Sequence, residues 1–406
     1  MKKVAIIGAG AAGCFSAIIL KRLMPGTVVD IYESGPNAMA KLSITGGGRC
    51  NLTNSFANIT SLAKIYPRGE KLMKRTLKVF SNEDAMQWFE NEGVRLIIQE
   101  DGCVFPKSQD AMEIVRILHK DMRAEGISIH YNHRMSSISK NNDSYNICFE
   151  NGREYKYNKL LIATGSPNKH ICNIFAGLGL EIINPVPSLF TFSMPKDPIC
   201  SLMGTVVENT SASISGTNFK ADGSLLITDW GMSGPAILKL SSYAARYLAE
   251  NNYNAEISIN WAGNKNRDNI ANELQTIANE NPQKKITSSR PYYLPLKLWQ
   301  HLIGICNIRS GIRWSEIGSK SFNKLTEQIL NDTHRINGKS RHRNEFVTCG
   351  GISLSNISIN TLECKSLPGI YFAGEVLDVD AITGGFNLQA AWSMAYVAAK
   401  SLSKEL

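Results

Sequence analysis

The first 33 residues place the tightest constraint on what this chain can become. Residues 2–7 form a short run rich in apolar and β-branched side chains, which predicts a buried strand. The run leads straight into Gly8-Ala9-Gly10-Ala11-Ala12-Gly13. An apolar helical stretch follows over 14–23, and a second apolar run over 28–32 ends at Glu33. Each part has a physical reason. Gly8 permits a tight turn, Gly10 lets a pyrophosphate approach the backbone, and Gly13 lets the helix pack close to the strand. Ala11 and Ala12 open the helix, whose first N–H groups and partial positive charge suit phosphates. Glu33 stands about 20 residues past the last glycine, placed to accept hydrogen bonds from an adenosine ribose. A lone G-x-G-x-x-G is weak evidence, but here strand, helix, second strand and terminal acid all keep the required spacing. An acid at that point, rather than Arg, indicates FAD or NAD and argues against a 2′-phosphate.

With 406 residues, 43% hydrophobic and 19% charged, the chain has the make-up of a soluble globular protein of two or three domains. Its net charge of +9 permits anionic partners without demanding them. One basic cluster (Lys64, Arg68, Lys71, Lys74, Arg75, Lys78) falls on a predicted helix, and a second gathers Lys339, Arg341, His342 and Arg343; both read as solvated faces. Nine scattered cysteines form no C-x-x-C and no zinc spacing, which argues against a redox disulfide and suits a reducing cytoplasm. Lys2-Lys3 and Ala11-Ala12-Gly13-Cys14 faintly mimic a lipoprotein signal. The glycines interrupt its apolar part and fit a nucleotide turn better. No apolar run approaches a membrane span.

After Glu33 comes a loop over 34–54 with three glycines flanked by Thr, Arg, Asn and Thr. Such a chain cannot build a core, but it can lie against a flat ligand and aim N–H groups at it. Its candidate contacts are Lys41, Gly47, Gly48, Arg49, Cys50 and Asn51. Helices are predicted at 68–79, 82–92 and 109–124, hairpins at Asp101-Gly102 and Asn151-Gly152, and a strand at 128–131. A buried strand over 159–163 closes in Ala163-Thr164-Gly165, small residues suited to lie beside a nucleotide. From about 186 the pattern turns to short strands (189–194, 205–207, 212–214, 225–228, 255–261). Helices are predicted over 233–250, 264–282 and 294–305.

The C-terminal part resumes the nucleotide pattern. Thr348-Cys349-Gly350-Gly351 reads as a close-approach turn, and a strand over 369–373 meets Gly374-Glu375-Val376-Leu377-Asp378. Gly374, Glu375 and Asp378 can hold the ribityl and phosphate part of a flavin nucleotide. Gly385, Phe386, Asn387 and Leu388 open a helix whose positive end can face the flavin N1–C2=O. Both ends carry the pattern, so the middle reads as an insertion into one Rossmann-like domain. The expected divisions are 1–187 and 341–406 for the nucleotide domain and 188–340 for a β-rich cap with a helical subdomain near 264–310. Only one G-x-G-x-x-G exists, so a second dinucleotide fold is not expected.

On Gly46-Gly47-Gly48-Arg49-Cys50-Asn51-Leu52-Thr53-Asn54, Tyr371 to Asp378, Gly384 to Gln389 and Gly231-Met232-Ser233-Gly234-Pro235, the chain resembles a flavoprotein family. That family is the aminoacetone oxidase-like, or NAD(P)/FAD-dependent, oxidoreductases, which include 3-dehydro-bile acid reductases. Departures are few: Thr45 for Ser, Phe386 for Tyr, Cys349 for Ala and Cys364 for Ser. The resemblance implies an α/β fold: a Rossmann-like FAD-binding domain split by an inserted β-barrel-like domain carrying a small helical subdomain. It does not imply one substrate.

The leading expectation is therefore an FAD-dependent oxidoreductase passing hydride between flavin N5 and a small organic molecule. NAD(P)H is the candidate transient donor and oxygen a candidate acceptor. Arg49 is the candidate group for holding an anion or the flavin carbonyls, and Cys50 the candidate active-site thiol. The opposing readings are a bracing Arg and a buried small residue. A small-molecule substrate is expected; nucleic acid is disfavoured, and no membrane partner is expected. The alternatives are an FAD-dependent RNA-modifying enzyme and a non-enzymatic FAD-binding sensor.

Overall fold

The computed structural model describes residues 2–57, 59–339 and 347–405. The chain divides into two units, residues 1–186 with 344–406, and residues 187–343. In the first unit, β1 (Lys3–Ile7) follows its predicted span and is flanked by β2 (Val28–Tyr32), β3 (Ser128–His130), β4 (Lys159–Ile162) and β5 (Ile370–Phe372). All pairings are parallel, in the order β3-β2-β1-β4-β5. Val4, Ala5, Ile6, Leu160, Ile162, Tyr371 and Phe372 are fully buried. That is why these strands read as unbroken apolar runs rather than as alternations.

Three helices fix the site end of this sheet: α1 (Ala11–Leu23), α2 (Ala111–Ala124) and α3 (Phe386–Glu405). Helices α1 and α3 pack on one another. Phe15 lies 5.4 Å from Trp392 and 4.8 Å from Trp88, and Phe80 and Phe89 complete the aromatic cluster. Truncating a core aromatic of this kind costs about 3–5 kcal/mol. The same packing brings both helix starts to the C-terminal edge of the sheet.

Two readings need correction here. Residues 348–351 are not a turn; they lie inside a strand, Val347–Ile352. A Cβ at Gly350 would sit 2.6 Å from Asn184 O, and one at Gly351 2.4 Å from Val376 O, so the glycines serve close backbone packing. The 34–54 segment is also not all loop, since it holds a 3₁₀ turn, Leu42–Ile44, and a helical turn, Thr45–Gly48.

The second unit is a six-stranded antiparallel sheet. Its spatial order is Phe192–Ser193, Gly231–Ser233, Lys220–Thr228, Val206–Ile214, Asn254–Asn260 and Asp332–Asn337. Ser193 N donates to Gly338 O at 3.0 Å, and Phe192 bridges Lys339. The two edges therefore nearly meet and the sheet is barrel-like. The predicted strands 205–207 and 212–214 are one strand, irregular between Val207 and Thr210. The predicted 233–250 helix is two, Pro235–Tyr243 and Ala245–Glu250. Helices Arg267–Glu280, Leu296–Ile305 and Ser319–Leu330 form the helical part. Among the described residues no helix is long and apolar enough to cross a membrane.

Candidate cofactor site

A cleft of about 440 Å³ opens in the first unit beyond the C-terminal ends of β1 and β4. This is where the strand order reverses, the usual ligand position in an open α/β sheet. Gly8, Gly10, Ala11, Ala12 and Glu33 line it on one side. Lys41, Ala163, Thr164, Gly165, Gly374, Glu375, Asn387 and Leu388 line it elsewhere.

The glycine turn has the shape that its three roles require. A Cβ on Gly8 would lie 2.3 Å from Ala163 O, and one on Gly13 would lie 1.9 Å from Gly8 O. A Cβ on Gly10 would meet nothing within 4 Å. Gly8 and Gly13 are thus fixed by packing, while Gly10 leaves open space in the cleft wall. The first N–H groups of α1 have no acceptor within the helix and carry its partial positive charge. Glu33 braces the turn: Ala9 N donates to its Oε2 at 2.9 Å and Gly35 N to its Oε1 at 2.8 Å. A carboxylate offers about four lone-pair sites, so acceptor capacity remains for a ribose.

The facing wall is tied by charge. Lys41 Nζ donates to Glu375 Oε2 at 2.8 Å and to Ser166 Oγ at 3.1 Å, and Thr348 N donates to Glu375 Oε1 at 3.2 Å. Asp378 does not line the cleft; its Oδ1 accepts from Gly350 N at 2.8 Å and steadies the turn behind Glu375. Thr164 Oγ1 is buried with no hydrogen-bond partner among the described residues. An orphaned hydroxyl, an open Gly10 and unmatched helix N–H groups in one cleft fit a dinucleotide such as FAD.

Gly13, Gly47, Gly48, Arg49, Cys50, Asn51, Gly385 and Phe386 do not line this cleft. Arg49 is exposed, its guanidinium 4.5 Å from the centre of the Phe105 ring and its Nε donating to Gly46 O at 3.2 Å. Cys50 is 0% exposed, and burial pushes its thiol up to about 12, which weighs toward the buried-residue reading over the active-site thiol. Asn51, with its amide oriented for both bonds, accepts from Gly385 N at 3.2 Å and donates to Thr53 O at 3.0 Å. Nearby, Thr53 Oγ1 donates to Gln389 Oε1 at 2.6 Å, Asn54 Nδ2 to Gly384 O at 3.0 Å and Trp392 Nε1 to Leu52 O at 3.0 Å. The 51–54 segment therefore stitches down the start of α3. Phe386 is buried against Phe56. Asn387 reaches the cleft, but its amide is engaged with Ala381 N and O at 2.9 and 3.0 Å.

Sequence reasoning missed Ser166, Asn37 and Met39, which also line the cleft. Ser166 directly follows Ala163-Thr164-Gly165, and that adjacency was the available signal. Asn37 and Met39 sit in a segment without periodicity and gave none.

The model of the HI0933-like protein Rossmann domain matches residues 2–401. The chain is 24% identical to a 3-dehydro-bile acid delta(4,6)-reductase of Clostridium scindens, over 100% of both chains. It is 28% identical to a ribosomal RNA dihydrouridine synthase of Escherichia coli, covering 98% of this chain and 97% of that one. Among solved structures, it is similar to the open conformation of a flavocytochrome c3 fumarate reductase. That match has a TM-score of 0.48 and 14% identity, over 99% of this chain and 78% of the other.

Proposed function

This chain belongs to the HI0933-like protein Rossmann-domain family, and from that premise we propose that it reduces a carbon–carbon double bond conjugated to a carbonyl. It is an FAD-dependent oxidoreductase. The reading rests on one observation, a cleft at the strand-order reversal with an open Gly10, a braced Glu33 and an orphaned Thr164 hydroxyl. The double-bond class is supported by the full-length relatives. By name, one reduces a 3-oxo Δ4,6 steroid and another converts uridine to dihydrouridine. Both reactions add two hydrogens across a bond conjugated with a carbonyl.

When bound, FAD supplies the hydride-carrying ring, and a nicotinamide cofactor is the proposed donor that restores its reduced form. The chain's own residues bind and orient. The glycine turn and the α1 start would receive the pyrophosphate, and Glu33 would receive the ribose. Glu375, held by Lys41, Ser166 and Thr348 N, fixes the opposite wall. The start of α3, pinned by Asn51 and Thr53, brings a positive helix end to the cleft, where it would favour negative charge on a bound ring.

A second reading concerns the substrate. The name of the relative matched at 28% over nearly the whole of both chains is the support for a uracil in RNA, and the net charge of +9 is compatible with it. The test is anaerobic incubation of the holoenzyme with NADH or NADPH. One arm offers a 3-oxo Δ4,6 steroid and another a uridine-containing RNA. The expected result is a product heavier by two hydrogens in one arm. Reduction of the flavin with no gain in either arm would overturn the double-bond reading.

A further inference from the structure

A second groove in the first unit has no part in holding the cofactor. It lies between α2 and the 37–43 segment and has a volume of about 660 Å³. Arg116, His119, Lys120 and Arg123 of α2 line it, with Tyr131 and Asn37, and no carboxylate is among its lining residues. The acids of α2 and of its C-cap are turned elsewhere: Asp121 and Glu125 face Arg22 at 3.3 and 3.2 Å, and Glu113 bonds Ser108. Arg116 meets Asp110 at 3.1 Å, but that pair is exposed and so weakly held. Lys120 and Arg123 take part in no ion pair among the described residues. Burial and the neighbouring Arg123 hold His119 below its ordinary value; Lys120 and Arg123 face the groove as cations, and Arg116 does so while paired with Asp110.

Their spacing decides what they fit. Arg116, Lys120 and Arg123 repeat at i, i+4 and i+7, so they share one helix face over roughly 10 Å of axis. A row of cations of that length can follow the successive charges of a phosphodiester backbone. Cations strung in a line suit a polymer backbone better than a single phosphate, which would need them to converge. Tyr131 is 36% exposed beside the row and offers a ring face to a base. Asn37 and Ala40 line both this groove and the cofactor cleft, so the two share a wall.

We propose that this groove is the track for the phosphate backbone of a single-stranded RNA substrate, an inference that rests on the RNA reading above. The other basic cluster is a poorer candidate. Arg68 leaves it to pair with the buried Asp380, while Lys71, Lys74 and Arg75 stand exposed on the helix Glu70–Thr76. Of the second cluster, Arg341, His342 and Arg343 lie outside the described residues, and the Lys339 ammonium sits 4.3 Å from the centre of the Tyr253 ring.

The test measures binding of a fluorescent uridine-rich oligoribonucleotide to the holoenzyme across a salt series. R116Q/K120Q/R123Q is expected to lose at least about tenfold in affinity, and its log–log salt slope to become shallower by about 0.7 per phosphate contact removed. Y131A is expected to weaken binding about tenfold with the slope kept. Both variants retain flavin absorbance, which shows that the unit is folded. K71Q/K74Q/R75Q is expected to bind like the parent. If the parent binds and the groove variant matches it in affinity and slope, the groove assignment is overturned and the RNA reading stands. Equal loss in the K71Q/K74Q/R75Q control overturns it too, because binding would then be diffuse. Displacement of the RNA by NADPH at flavin-saturating levels would make the groove a dinucleotide site instead. A parent chain that binds no RNA overturns the groove and the RNA reading together.

Discussion

The two glycine-rich stretches of the first unit, 8–13 and 46–51, look alike in sequence and do different work. At 8–13 the middle glycine leaves open space in the cleft wall. At 46–51 the chain turns away: Arg49 lies on Phe105, Cys50 is buried, and Asn51 is spent on Gly385 and Thr53. The first stretch lines the cleft. The second is tied through Asn51 to Gly385 at the start of α3. Gly47 and Gly48 are as free of neighbours as Gly10, so neither glycine content nor room for a Cβ separates the two stretches; what the residues after the glycines bond to does.

Substitutions can break this contrast, starting with the most severe. Gly13→Ala places a methyl 1.9 Å from Gly8 O, and overpacking of that order costs at least about 3 kcal/mol. The expected outcome is loss of soluble, flavin-bearing protein, read by yield and thermal melting. Gly10→Ala meets nothing within the protein. Its apo form is expected to melt within about 2 °C of the parent, while FAD affinity falls at least about tenfold. A tenfold loss with a collapsed melting temperature would make Gly10 structural and erase the distinction. Asn51→Ala should show the reverse order of effects. It removes two bonds that hold the α3 start, so stability drops about 1–2 kcal/mol, and FAD affinity falls less than in Gly10→Ala. Smallest of all is Cys50→Ala, expected to leave turnover per bound flavin unchanged. The thiol, pushed up to about 12 by burial, should resist iodoacetamide at pH 8 in the folded protein. Fast labelling, or a stable Cys50→Ala protein that has lost turnover, would return the thiol to the reaction.

The fold was legible where one residue type answered to one physical need. The β1-α1-β2 turn showed because apolar strands, three glycines and a terminal acid each have a single good use at that spacing. Legibility failed where polar residues face inward. The strand Asp332–Asn337 went unseen because its buried face is Asp332, His334 and Ile336. There Trp261 Nε1 donates to Asp332 at 2.8 Å and His334 Nδ1 meets Asp197 Oδ2 at 2.9 Å. Burial works to lower His334, but its bond to Asp197 and the nearby Asp332 carboxylate more than offset this and carry it up to about 9. A hydropathy pattern cannot register polar groups that satisfy one another in the core. The strand Val206–Ile214 was split because Glu208 and Asn209 fall at its irregularity. In the site, residue types pointed to the cleft walls at Lys41, Glu375 and Thr164. They did not separate wall from brace at 47–51, because Asn51 and Gly385 meet only through the tertiary fold.

The central claim is that the first unit cradles both halves of one flavin dinucleotide in the cleft beside Gly10. The most direct measurement is equilibrium titration of the apoprotein with FAD and with FMN, for the parent and for Gly10→Ala. The account predicts one FAD per chain and FMN weaker by at least about tenfold, because FMN lacks the adenylate half that the turn and Glu33 receive. It also predicts that Gly10→Ala removes most of the preference for FAD. Equal affinity for FMN and FAD in the parent, or an unchanged preference in Gly10→Ala, would contradict it.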